Sequence, residues 1–132
     1  MRKLVILVSI LSLTMSISQA QNPQKRKARV SYIHKTAKLS KAEQDKISKT
    51  LTAFLDEKHD SKEKHEAVKD KYASAEDQGK LTPSAANELM LSKFAKQERD
   101  IAIERKYYAE FKTLIGAVKA REIIKCADDK LK

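Results

Sequence analysis

The residues of this 132-residue chain whose types could do chemistry are three histidines, one cysteine and a small group of aromatics. His59 and His65 lie six positions apart, which at ~100° per residue puts them about 240° apart around a helix and off a common face. His59 with Glu63 at i,i+4 would supply two metal ligands, whereas a stable site takes three or four. His34, His59 and His65 therefore read as exposed side chains in charged runs, and no metal is expected. The single Cys126 excludes an intramolecular disulfide and a cysteine zinc cage. It falls three positions after Ile123, a spacing that turns it toward a core, although a leftover thiol in an oxidising compartment also has the option of pairing between chains. Tyr107, Tyr108 and Phe111 cluster on one segment: Tyr108 and Phe111 are expected in the core, with Tyr107 exposed to a partner.

Catalysis finds no foothold. There is no nucleophile elbow, no H-E-x-x-H and no suggestive Cys–His pair, and two glycines are too few for a phosphate-cradling loop. The carboxylates alternate with lysines on what read as solvated helix faces. The expectation is a protein that is not an enzyme and takes no cofactor.

Charge is more informative. The chain carries 28 basic and 18 acidic residues, and the surplus is concentrated. Lys25, Arg26, Lys27, Arg29, Lys35, Lys38 and Lys41 occupy residues 21–42 without one acid. Such a segment attracts acidic unfolded proteins, an acidic sensor domain or anionic lipid headgroups, or simply keeps the protein dissolved. Lys25, Arg26, Lys27, Arg29, Lys35 and Lys38 are the candidate partner-binding residues.

Before that segment, Met1-Arg2-Lys3 is a short positive region, Leu4–Leu13 an apolar core and Ser18-Gln19-Ala20 a small-residue cleavage pattern. Ten apolar residues are too few for a spanning helix of about 20, so residues 1–20 read as a secretory signal, leaving 21–132 as a single helical domain. An uncleaved membrane anchor is the alternative, and the basic residues just after Ala20 work against easy export. Export makes nucleic acid an improbable partner.

The elements follow from punctuation. Gly and Pro occur beyond residue 20 only at Pro23, Gly79, Pro83 and Gly116, and long stretches free of both predict long helices. Val30, Ile33 and Ala37 form a first short stripe. After a break near Leu39, Ser40 with Glu43 is a capping box, and Ile47, Leu51, Phe54 and Leu55 continue one face. Residues 56–66 contain no apolar side chain. Either one helix projects into solvent there or it breaks near Asp60; the Asp60–Lys64 spacing favours continuity. Beyond Gly79, Thr82 is an N-cap and Pro83 suits the first helical position. Met90, Phe94, Gln97, Ile101, Glu104, Tyr108, Phe111 and Ile115 then keep a 4-3 rhythm, widened by Leu89 and Leu114. Val118, Ile123, Ile124, Ala127 and Leu131 are assigned to a last helix after Gly116. The expected fold is all-α, an elongated long-helix hairpin or bundle of four to five helices. Its large apolar groups are too few to seal a monomer's core, so a second copy or a partner is expected to cover the remainder.

The two long-helix openings repeat. Leu39-Ser40-Lys41-Ala42-Glu43 and Leu81-Thr82-Pro83-Ser84-Ala85 share a Leu-hydroxyl start 42 residues apart. This resembles the paired L-T-x-x-Q motifs of the Spy/CpxP family of secreted bacterial envelope-stress proteins. Ala28-Arg29-Val30 with Ile33, and Ala117-Val118-Lys119 leading to Ala127, resemble a shorter-motif branch of it. The motif Gln is Glu43 in the first copy and Ala85 in the second, so the reach-back of a capping box survives once. The resemblance implies a cradle-shaped antiparallel homodimer in the periplasm. It further implies a chaperone that binds unfolded proteins without ATP, or an accessory that regulates a membrane stress or metal sensor by contact. Leu39, Ser40, Glu43, Leu81, Thr82 and Pro83 are its motif residues here.

Overall fold

A computed structural model describes residues 22–131; the expected signal over residues 1–20 lies outside them. Among the described residues four α-helices run in order: α1 (Pro23–Thr36), α2 (Lys41–Asp77), α3 (Pro83–Ile115) and α4 (Ala117–Cys126). No strand occurs among the described residues, and none of the described helices is long and apolar enough to cross a membrane.

Each boundary has a local cause. The Asn22 side chain accepts the Gln24 N–H at 2.9 Å and Pro23 opens α1. That helix ends in a Schellman pattern: the Leu39 N–H donates to the His34 carbonyl at 3.0 Å and the Lys38 N–H to that of Lys35 at 3.3 Å. Lys38 consequently sits at φ +54°, a left-handed conformation that ordinarily selects glycine. The end of α2 repeats the pattern, with the Lys80 N–H on the Ala75 carbonyl at 2.8 Å and the Gly79 N–H on that of Glu76 at 3.1 Å. There Gly79, at φ +64°, meets the requirement without a side chain.

Residues 56–66 do not break the helix; α2 is continuous from Lys41 to Asp77. Their polarity does not leave the segment wholly in solvent either, because one side of it faces α3. Ser61 is only 2% exposed; its Oγ accepts from Arg99 Nε at 3.2 Å and its carbonyl from the Arg99 guanidinium at 2.8 Å. Further cross-helix contacts set an antiparallel register: Glu57 with Tyr107, Lys58 with Glu104, His65 with Ser92, and Tyr72 with Glu88. As the α2 number rises the α3 number falls in step, so α2 and α3 form one long hairpin.

The core occupies only the end of that hairpin on which α1 and α4 pack. It joins Ile33 of α1, Ile47, Leu51, Phe54 and Leu55 of α2, Tyr107 and Phe111 of α3, and Ala120, Ile123 and Cys126 of α4. At its centre, Phe54 and Phe111 meet edge-on at 83° with ring centroids 5.7 Å apart, and Tyr107 stands 5.4 Å from Phe54. We call this region the base and the remaining two-helix projection the arm.

Three expectations about side chains need correction. Tyr107 is buried and Tyr108 half-buried, because the α3 face that meets Phe54 carries the odd-numbered tyrosine. Val118 is 78% exposed, because at five residues' distance it lies about 140° around the helix from the buried Ile123. Leu131 lies past the end of α4, which stops at Cys126.

Candidate functional site

Among the described residues, four of the six exposed large apolar side chains lie together on the arm. At ~100° per residue, Met90, Phe94 and Ile101 fall within about 40° of one another on α3, with Leu91 at their margin. They are 46%, 46% and 52% exposed, and Leu91 is 57% exposed. The same stripe continues into the base, where Tyr108 and Ile115 pack against the core. One sequence pattern is thus covered over its second half and open over its first. Exposed Lys93, Gln97, Glu98 and Arg105 border the open half, giving a polar rim around large apolar groups, the usual make-up of a contact surface.

The arm is held together mainly by polar contacts. One of them uses a Lys-Tyr dipeptide, and the same arrangement recurs at the base. Tyr72 of α2 donates its hydroxyl to Glu88 of α3, which also meets Lys71 at 3.4 Å. At the base, Tyr107 of α3 donates to Glu57 of α2, which also meets Lys106 at 3.1 Å. In each, the lysine lies about 5 Å over the tyrosine ring, at 5.1 Å and 4.9 Å. The Tyr72 hydroxyl lowers the Glu88 pKa, aided by Lys71. The Tyr107 hydroxyl does the same for Glu57, with Lys106 adding to it. Neither clamp announces itself in the sequence, since the partners lie 16 and 50 residues apart and each residue alone reads as a solvated helix position.

The motif residues do not converge. Ser40 Oγ accepts the Glu43 N–H at 3.2 Å while the Ser40 N–H donates to Glu43 Oε1 at 2.9 Å. Lys119 of α4 adds a third contact to Glu43. That ammonium, followed by the Ser40 backbone N–H, holds the carboxyl at a pKa of about 2. Leu39 is buried in the core beside it. Thr82 Oγ1 accepts the Ala85 N–H at 3.1 Å, Pro83 occupies the first turn and Leu81 is half-buried at the tip of the arm. The two motifs stand at opposite ends of α2, a 37-residue helix about 55 Å long. What the structure gives them is two well-capped helix starts.

The basic segment divides by residue type. Arg26 pairs with Asp56 of α2, and Arg29 donates to the Asp129 backbone carbonyl beyond α4. Both arginines therefore fasten α1 to the base, alongside the Tyr32 hydroxyl that donates to Asp129 at 2.8 Å. Lys25, Lys27, Lys35 and Lys38 are exposed, and no ion pair engages them among the described residues. The lysines are the part of the segment that faces outward.

The histidines and the thiol have ordinary surroundings. Burial, with the Lys41 charge added, lowers the pKa of His34. His59 stands 3.9 Å from Glu63, and His65 shares a hydrogen bond of 2.9 Å with Ser92 in the arm, a role its spacing did not suggest. No group of three His, Cys, Asp or Glu residues suited to a metal ion occurs among the described residues. Cys126 is buried, and that burial pushes its thiol pKa up, which disfavours the reactive thiolate. No family model, curated protein or solved structure matches this chain.

Proposed function

We propose that this chain is an exported chaperone-like or envelope-stress accessory protein of the periplasm that holds unfolded proteins without ATP. The observation that carries the reading is the open face of Met90, Leu91, Phe94 and Ile101 on a helix whose continuation forms the core. An unfolded client offers apolar side chains at irregular spacing, and a long, shallow, methionine-containing stripe accommodates many such arrangements. The exposed lysines of α1 add long-range attraction for acidic clients. In this reading the arm is also where a second copy would cover apolar area, as a homodimer.

The test is aggregation of a chemically denatured client, followed by light scattering with increasing protein purified from cells that express the full chain. Suppression at equimolar protein, lost in Phe94→Asp, is the expected result. Unaltered aggregation across the series removes the proposal.

A second reading is favoured by the concentration of outward lysines on α1: a regulatory binding module for the acidic face of a membrane stress or metal sensor. Capture of one dominant membrane protein from envelope extracts, lost when Lys25, Lys27, Lys35 and Lys38 are changed together to Glu, would favour it over general client binding. Salt-sensitive sedimentation with anionic but not neutral vesicles would instead assign the lysines to a lipid surface.

A further inference from the structure

The arm leaves the base at a cavity of about 410 Å³, within the range of ligand pockets, ~300–1,000 Å³. Its wall draws on every helical region: Arg29 from α1, Lys58 and Lys62 from α2, Lys96 and Asp100 from α3, and Asp128 just beyond α4. Four cations thus face two carboxylates. Internal pairing accounts for half of the positive charge. Lys96 meets Asp100 at 2.6 Å, and Lys58 meets Asp128 at 2.9 Å and Glu104 at 3.3 Å. The Lys58 side chain is only 11% exposed. Burial by itself would lower its pKa, yet Asp128, Asp100 and Glu104 outweigh that and raise it, so it stays an ammonium in the wall.

Arg29 and Lys62 remain. Neither has a carboxylate partner among the described residues; Arg29 gives one guanidinium N–H to the Asp129 carbonyl. Two uncompensated positive charges from two different helices therefore line one cavity, with His59 beside them. We propose that this cavity binds a small dianion of the phosphate class, held between the Arg29 guanidinium and the Lys62 ammonium, with the His59 ring supplying a further hydrogen bond. A guanidinium offers paired N–H donors that match two oxygens of a tetrahedral oxyanion, and an ammonium supplies a compact point charge. A dianion pairs with both of the cations that have no carboxylate, whereas a divalent metal or an apolar ligand would meet repulsion or a polar wall. Because Arg29 and Lys62 belong to different helices, the ligand also clips α1 to the root of the arm.

Titration calorimetry with inorganic phosphate tests the site. Expected are saturable one-to-one binding and a melting temperature that rises with phosphate, as for any ligand of the native state. Lys62→Glu should weaken binding by about tenfold or more, without unfolding the protein, since Lys62 is exposed. Lys64→Glu makes the same change in net charge but lies on a separate groove beside Arg99, and should leave the dissociation constant within about twofold. Absence of saturable binding, or equal weakening in both variants, overturns the proposal. Vesicle flotation with and without phosphatidic acid assigns the source. Flotation that free phosphate competes and Lys62→Glu abolishes identifies a lipid phosphomonoester; phosphate binding without flotation identifies a soluble one. Flotation weakened equally by Lys64→Glu is diffuse membrane attraction and overturns the site. Lys62→Glu leaves the Met90–Ile101 face intact, so failure here is separable from failure of client binding.

Discussion

The base and the arm are made from the same two helices and obey opposite rules. In the base, α2 and α3 are wedged by α1 and α4, and Phe54, Tyr107 and Phe111 lock into an aromatic cluster. In the arm the same helices have only each other. Beyond Ser61 no residue of α2 is buried, and before Tyr107 the only buried residue of α3 is Ala85. A pair of helices offers each one only a single neighbouring face. Apolar residues on the far side therefore stay in water, and the seam is closed by hydrogen bonds such as Arg99–Ser61 and Tyr72–Glu88. The difference teaches that stability and contact are divided along the molecule, with cohesion at one end and availability at the other.

The sharpest way to break this comparison is to truncate matching residues of α3. Phe111→Ala should cost about 3–5 kcal/mol in a denaturant melt, as a large buried aromatic does. Phe94→Asp in the arm should leave stability within about 0.5 kcal/mol. A comparable loss from the two would mean that the arm face is core. Arg99→Met should come next, at about 1–3 kcal/mol, because it removes both guanidinium hydrogen bonds to the buried Ser61. Its effect should concentrate in the arm: backbone hydrogen exchange at Val68 and Leu89 should accelerate more than at Leu51 and Ile123.

Acid sharpens the comparison through charge. Glu43 is ionised in the base with a folded pKa of about 2, below the ordinary 4.5. A depressed folded pKa contributes stability that is present above the unfolded value and lost as pH falls through the folded one. The stability gap between the wild type and Glu43→Gln should therefore be full above pH 4.5 and close toward pH 2. Glu57 and Glu88 are shifted in the same direction, so both clamps should weaken as pH falls below the ordinary carboxylate range. Circular dichroism melts across that interval read the first effect, and exchange rates at Tyr72 the second. The smallest expected effect is a gain. Lys38→Gly should stabilise the base by roughly 0.5–1 kcal/mol by relieving a left-handed lysine, whereas Gly79→Lys at the corresponding position of the arm should cost a similar amount.

Much of the architecture is legible without coordinates. The capping box of Ser40 and Glu43, the Thr82-Pro83 start and the stops at Gly79 and Gly116 all act over a few residues, and such signals are written locally. Continuity through residues 56–66 follows from the lack of any breaker there. The capped helix starts were visible for the same reason, but their separation to opposite ends of α2 was not. The fate of the 4-3 stripe was also hidden, because Met90, Phe94 and Ile101 have the same spacing as Tyr108 and Ile115. Nothing in that rhythm tells where α1 and α4 end.

The chain's own order of residues thus determines the helices of the described residues, their caps and the crowding of positive charge into α1, since each depends on neighbours within a turn or two. Only the tertiary structure decides that both arginines of that segment become fasteners, that Tyr107 rather than Tyr108 meets Phe54, and which half of the α3 stripe is left in water. Those outcomes turn on residues brought together from 30 to 100 positions apart, and burial is a property of what packs against a side chain rather than of the side chain itself.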